Sequence, residues 1–171
     1  MAEMKFKFTI QPYQTEAVDS VVGVFASQPF NDHFTYRRDV EIRRDVTNWM
    51  LSDEELYMGF ANAKVQLDSG QLLENIRRIQ TRNNIKLSDS LKSGGLGVCS
   101  LDVEMETGTG KTYVYIKTIF ELNKQYGWSK FIVVVPSIAI REGVKKSFEM
   151  MKDHFRECYG KHANLSMTPR V

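Results

Sequence analysis

The chain has 171 residues, of which 42% are hydrophobic and 26% charged, with a formal charge of +2. That balance excludes a disordered tail, a collagen-like fibre and a global basic field for nucleic acid, and the length suits one α/β domain or part of something larger. Two cysteines, Cys99 and Cys158, make no disulfide framework. No run approaches the roughly 18 apolar residues of a bilayer span, so a soluble, cytoplasmic protein without membrane partners is expected.

Residues 4–10 alternate apolar and polar side chains, which predicts a short strand. Pro12 suits the first turn of a helix, and Ala17, Val18, Val21, Val22 and Phe25 follow at helical spacing, predicting a helix from Pro12 to about Ala26. Further helices are predicted from about Asp53 to Val65, capped by Ser52, and from about Gln71 to Asn83. The serine- and glycine-rich stretch 86–97 reads as a loop. Beyond it the pattern becomes strand, turn, helix, strand, turn, helix. The strands are Val98–Met105 and Lys130–Val135; the helices are Lys111 to about Tyr126 and Ile138 to about Phe155. Two strands joined by a helical crossover imply a right-handed βαβ unit in a parallel sheet. The unbroken run from Phe131 to Val135 predicts a strand covered on both faces. The first strand also carries Asp102 and Glu104 on one face, which leaves open whether that face borders a polar site or solvent.

Between the first strand and its helix stands Met105-Glu106-Thr107-Gly108-Thr109-Gly110-Lys111-Thr112. Gly108 and Gly110 let the backbone curl its N–H groups around phosphate oxygens, and the positive end of the following helix faces the same anion. Lys111 would reach the β- and γ-phosphates, and the Thr112 hydroxyl would ligate Mg²⁺. Met105 stands where the general pattern has glycine. These residues by themselves predict triphosphate binding, and nothing about what the energy drives.

The string from Met105 to Thr112 resembles motif I of superfamily 2 helicases and translocases. Gln11-Pro12-Tyr13-Gln14-Thr15-Glu16-Ala17-Val18 resembles their glutamine motif, and Val133 to Val144, through Pro136 and Ser137, resembles motif Ia. The stretch from Leu101 to Phe120 is most similar to the restriction (Res) subunit of type III restriction–modification enzymes. The resemblance implies an α/β fold: the start of a partial RecA-like P-loop NTPase domain with parallel strands and flanking helices over 98–171, preceded by a helix-rich segment. Within that segment, 1–27 would be the glutamine-motif strand and helix, and 28–97 a helical insertion and loop. It also implies ATP and Mg²⁺ as cofactors, held by Gln14, Thr107, Gly108, Thr109, Gly110, Lys111 and Thr112, with Lys111 and Thr112 catalytic and Thr112 the Mg²⁺ ligand. Gln14 would read the adenine edge, since an amide donates and accepts at once; otherwise it is a capping or solvent-facing residue. Tyr13 either stacks on the base or packs into the core, and core is favoured.

By the same resemblance Pro136, Ser137 and Arg141 would touch the backbone of double-stranded DNA, Ser137 through the first amides of its helix; the alternative is a plain helix cap. The arginine pairs at 37–38, 43–44 and 77–78 read as solvated faces, as do Lys145 and Lys146. His154, Cys158 and His162 fall at four-residue intervals, but Gly160 interrupts the helix and no second cluster completes a zinc site. The sole Asp-Glu pair, Asp53-Glu54, follows no apolar strand and precedes motif I, so it is not the acidic box of a motor. The resemblance implies that the whole protein is a longer prokaryotic ATP-dependent DNA-cleaving enzyme working with a modification (methyltransferase) subunit, and without an acidic box these residues alone are expected to be inactive. Rival readings are another superfamily 2 motor, a module that holds ATP without hydrolysing it and, more weakly, a small-molecule kinase.

Overall fold

A computed structural model describes residues 8–31, 62–95, 97–161 and 163–166. Four helices carry the described architecture: α1 (Pro12–Gly23), α2 (Ser69–Arg82), α3 (Lys111–Tyr126) and α4 (Ile138–Tyr159). α1 packs on both α2 and α3, and α4 lies on the other side of α3. Thus α3 is the central helix, and its amino end is the glycine loop.

Sequence accounts for most helix ends. Pro12 opens α1, and the helix stops at Gly23, short of Ala26, because residues 24–27 tighten into turns that end at Ser27 with φ +74°. α2 begins two residues before Gln71. Asp68 caps it by accepting from the Gln71 N–H, while the Gln71 side chain accepts from the Asp68 N–H. Two left-handed glycines close the last helices, Gly127 after α3 and Gly160 after α4. At Gly127 no other residue fits, since a Cβ would run into the Asn31 carbonyl.

The core has three parts. Val18 and Val22 of α1 meet Val114, Leu122 and Tyr126 of α3, with Trp128 beside them. On the far side of α3, Tyr113, Ile116 and Phe120 meet Met151 and Phe155 of α4. A third cluster joins Val24, Leu67 and Leu72. Val18, Leu72 and Ile116 are almost wholly inaccessible, and each such side chain contributes roughly 1.5–3 kcal/mol by leaving water. Polar ties fix the seams: the Tyr126 hydroxyl donates to the Val22 carbonyl at 3.0 Å, and the Trp128 indole donates to the Ala63 carbonyl at 3.1 Å.

The strands fare differently from the helices. Residues 4–7 of the first predicted strand lie outside the described residues, and 8–10 are not in a strand. Neither Val98–Met105 nor Lys130–Val135 is paired into a ladder among the described residues. The expectation of a strand covered on both faces is corrected: Ile132 is 92% exposed and Val134 87%. A strand is completed by neighbours distant in sequence, and among the described residues only Phe131 of this run packs against the core. Along the first segment Leu101 and Met105 pack inward, while Asp102 and Glu104 are exposed and line an open cavity beside α1 and α2. Of the predicted helix 53–65, residues 53–61 and its cap Ser52 lie outside the described residues. Residues 62–65 are not helical. They form a strap, with Asn62 accepting from the Ser129 and Lys130 N–H groups at 2.9 Å each. The stretch 86–95 is irregular as expected, and Arg77 staples it by donating to the Ser88 and Asp89 carbonyls.

Candidate nucleotide site

The loop before α3 is a tight turn. The Thr109 hydroxyl donates to the Glu106 carbonyl at 2.7 Å, and the Thr109 N–H lies 3.5 Å from the same oxygen. Gly108 (φ +84°) and Gly110 (φ +88°) both occupy the left-handed region, where side chains with a Cβ cost energy. Space above Gly108 is open, with nothing within 4 Å of where a Cβ would stand. Gly110 is the N-cap of α3, so the unpaired N–H groups of the first turn open the helix beside Lys111 and Thr112. Lys111 is exposed and Thr112 half-buried.

Gln14 reaches this loop from 95 residues away. Its side chain is 9% exposed, and its Nε2 donates to the Thr109 carbonyl at 2.9 Å. Tyr13 donates to the same carbonyl from its hydroxyl, at 3.2 Å. Tyr13 is therefore not a core residue as favoured from sequence: it is 47% exposed and bridges α1 to the loop. The fit is close, since a Cβ on Gly110 would stand 2.5 Å from the Gln14 Nε2. One helical face farther on, Lys117 donates to the Thr15 hydroxyl at 3.0 Å and ties α1 to α3 again. A cavity of about 650 Å³ opens beside Tyr13 and Thr109, between α1, α2 and residues 100–106.

The second predicted site lies at the start of α4. The Ser137 Oγ accepts from the Ile140 N–H at 3.3 Å, so Ser137 caps the helix. Pro136 and Ser137 are exposed. Arg141, one turn in, lies 3.4 Å from the Glu142 carboxylate, while its Nε is buried without a hydrogen-bond partner. Exposed ion pairs of this kind contribute little, so the guanidinium is held only loosely. The structure thus gives Ser137 its cap role directly; nothing in the geometry adds a nucleic acid.

The remaining sequence candidates separate cleanly. The arginine pairs at 37–38 and 43–44, Asp53-Glu54 and His162 lie outside the described residues. Arg77 is engaged by loop carbonyls, and Arg78 donates to Asn75. His154 faces the Tyr113 hydroxyl at 3.1 Å and the Phe8 ring at 5.0 Å. Burial lowers its pKa, and the nearby Lys117 charge lowers it further against the opposing pull of Glu157. Sequence reasoning missed Lys117, Tyr115 and the partnership of Tyr13 with Thr109. Only the last carried a signal, as Tyr13 adjoins Gln14 in the same motif.

Comparison with known proteins places the chain in a family. Residues 71–167 match the family described as "Type III restriction enzyme, res subunit". The chain is 36% identical over 157 residues to the type III restriction-modification enzyme EcoP15I Res subunit of Escherichia coli, covering 89% of the chain and 14% of that protein. It is 35% identical over 150 residues to the EcoPI Res subunit of Escherichia phage P1, covering 86% of the chain and 13% of that protein. Against the StyLTI Res subunit of Salmonella typhimurium it is 47% identical over 62 residues, or 35% of the chain and 6% of that protein. The chain therefore spans about 14% of the length of the first of these relatives.

Proposed function

The chain belongs to the family of type III restriction enzyme Res subunits, and from that membership we propose that it carries the ATP-binding start of a DNA-dependent motor that licenses DNA cleavage. The observation that carries the reading is the contact of Gln14 with the Thr109 carbonyl. It joins a residue suited to reading a base with a loop suited to holding phosphates, across 95 positions of sequence.

The residues fit a magnesium nucleotide. The open space at Gly108 and the left-handed glycines leave room for phosphate oxygens beside the loop, where the Thr109 N–H is turned only weakly toward the Glu106 carbonyl. The amino end of α3 adds a positive dipole at the same place. Lys111, exposed at the first position of α3, would supply a positive charge to the terminal phosphates, and Thr107 and Thr109 flank the loop. Thr112 would offer a hydroxyl oxygen to Mg²⁺. Gln14 spends its amide N–H on Thr109 and keeps an oxygen for the amino group of adenine. Beside it the cavity at Tyr13 is of a size usual for small-molecule sites, about 300–1,000 Å³. When bound, ATP with Mg²⁺ supplies an activated phosphoanhydride; the chain's residues bind and orient it. A carboxylate to position the attacking water would have to come from elsewhere in the protein, since Asp53-Glu54 follows no apolar strand.

The finer assignments form one scheme. Residues 98–171 begin a RecA-like domain whose apolar runs 98–105 and 130–135 join a parallel sheet, 1–27 carry the base-reading helix, and 28–97 are an insertion. Pro136, Ser137 and Arg141 touch the phosphates of double-stranded DNA, and a modification subunit supplies sequence recognition. No helix among the described residues is long and apolar enough to cross a membrane. The test is Lys111→Ala in the full-length protein assembled with its modification subunit. ATP hydrolysis and DNA cleavage should both disappear while circular dichroism stays unchanged; cleavage at the normal rate would exclude this loop as the motor's nucleotide site.

A further inference from the structure

Tyr115 lies one turn into α3, three residues after Thr112, and its hydroxyl is buried without a hydrogen-bond partner among the described residues. A buried hydroxyl left unpaired costs free energy, and a native structure tolerates it where something is gained. Residues three apart share a helix face, and helical side chains lean toward the amino end, so Tyr115 leans over the turn that holds Thr112. The electrostatics agree: burial pushes the Tyr115 pKa up, and the Thr112 hydroxyl beside it pulls it back down. The two hydroxyls are thus within hydrogen-bonding reach of each other, at a geometry too loose to satisfy the buried oxygen. The ring itself packs against the cluster of Tyr113, Ile116, Phe120, Met151 and Phe155, so only the oxygen lacks a role.

We propose that Tyr115 is the positioning residue for the cation ligand, its oxygen accepting the Thr112 O–H when the Thr112 oxygen turns toward a divalent cation. A hydroxyl has one proton and two lone pairs. If Thr112 gives a lone pair to a cation on the phosphate side, its proton must point away, toward the helix face where Tyr115 waits. A cation-bound hydroxyl is also a stronger donor than a free one. The loose contact of the free protein tightens into a full hydrogen bond only in the loaded site, which accounts for an acceptor left poorly satisfied in its absence. This inference rests on the nucleotide reading of the loop, and its test separates the two.

The test titrates a fluorescent, non-hydrolysable ATP analogue into the full-length protein, once with Mg²⁺ and once with EDTA, for wild type, Tyr115→Phe and Thr112→Ala. Tyr115→Phe should weaken binding with Mg²⁺ by about 3- to 10-fold, the range of one hydrogen bond to a polarised group, and leave binding in EDTA unchanged. Its unfolding midpoint without nucleotide should stay level or rise, because the orphaned hydroxyl is gone. Thr112→Ala should lose the Mg²⁺ gain altogether. A full Mg²⁺ gain in Tyr115→Phe, with the gain lost in Thr112→Ala, would overturn the role of Tyr115 and leave the nucleotide reading standing. Equal weakening with and without Mg²⁺ would reduce Tyr115 to packing and also overturn it. No Mg²⁺ gain in wild type, or a gain that survives Thr112→Ala, would overturn the nucleotide reading and this inference with it.

Discussion

Replacing Gly110 by alanine tests whether Gln14 and the loop are one unit. At φ +88° an alanine pays about 1–2 kcal/mol for the left-handed backbone. Its Cβ would also stand 2.5 Å from the Gln14 Nε2, so the Gln14 amide must leave the Thr109 carbonyl. That loses a hydrogen bond worth about 1 kcal/mol. The expected cost of Gly110→Ala is therefore about 2–3 kcal/mol. Gln14→Ala alone should cost about 1 kcal/mol, kept low because Tyr13 still donates to the Thr109 carbonyl. On the Gln14→Ala background there is no amide to displace, so Gly110→Ala should cost only the backbone strain. The double variant should then be more stable than the sum of the singles predicts by about 1 kcal/mol. The assay is urea unfolding of this chain and its three variants, followed by fluorescence and circular dichroism together to check for a single transition. Costs that add to within about 0.3 kcal/mol would refute the contact, because sites that do not touch behave independently.

Three further outcomes follow from the same geometry. Gln14→Ala should weaken ATP binding more than GTP binding, measured as competition against a fluorescent nucleotide; equal losses would mean that Gln14 reads no base. These 171 residues alone should bind adenine nucleotide weakly and hydrolyse almost none, because no acidic box accompanies the loop; steady phosphate release abolished by Lys111→Ala would reveal a carboxylate acting in the chain itself. His154, whose folded pKa lies below the ordinary 6.5, holds fewer protons folded than unfolded. Its contribution to stability is thus full above 6.5 and is lost as pH falls through 6.5 toward the folded value. Urea midpoints between pH 7.5 and 5 should fall less steeply in His154→Gln, and identical slopes would remove His154 as the titrating group.

The helices were legible because their signals are local. Pro12 opens α1, the apolar spacing of Leu72, Ile76 and Ile79 marks α2, and Gly127 stops α3, whereas α4 runs four residues past the expected end at Phe155, to Tyr159 and its Gly160 cap. The misplacement of the α2 start was avoidable, since Asp68 followed three residues later by Gln71 is a readable cap. Strands were not legible in the same way. The run Phe131–Val135 states what it would do inside a sheet, but pairing depends on residues far off in sequence, and Ile132 and Val134 stand exposed here while Phe131 packs against the core. The glycine loop was read from spacing alone, because left-handed glycines before a helix are a local matter. The convergence of Gln14 and Tyr13 on one carbonyl was not, since the motif names the residues and not what they touch. Tyr115 was invisible for a different reason: in sequence a tyrosine among apolar neighbours is simply core, and only the structure reveals an unpaired oxygen.

The most direct test of the account is a crystal structure of the full-length protein with a non-hydrolysable ATP analogue and Mg²⁺. The account predicts phosphate oxygens on the N–H groups of Gly108 to Thr112, the Thr112 oxygen on the cation, and the adenine amino group on Gln14. A nucleotide bound elsewhere, or a base out of reach of Gln14, would contradict it.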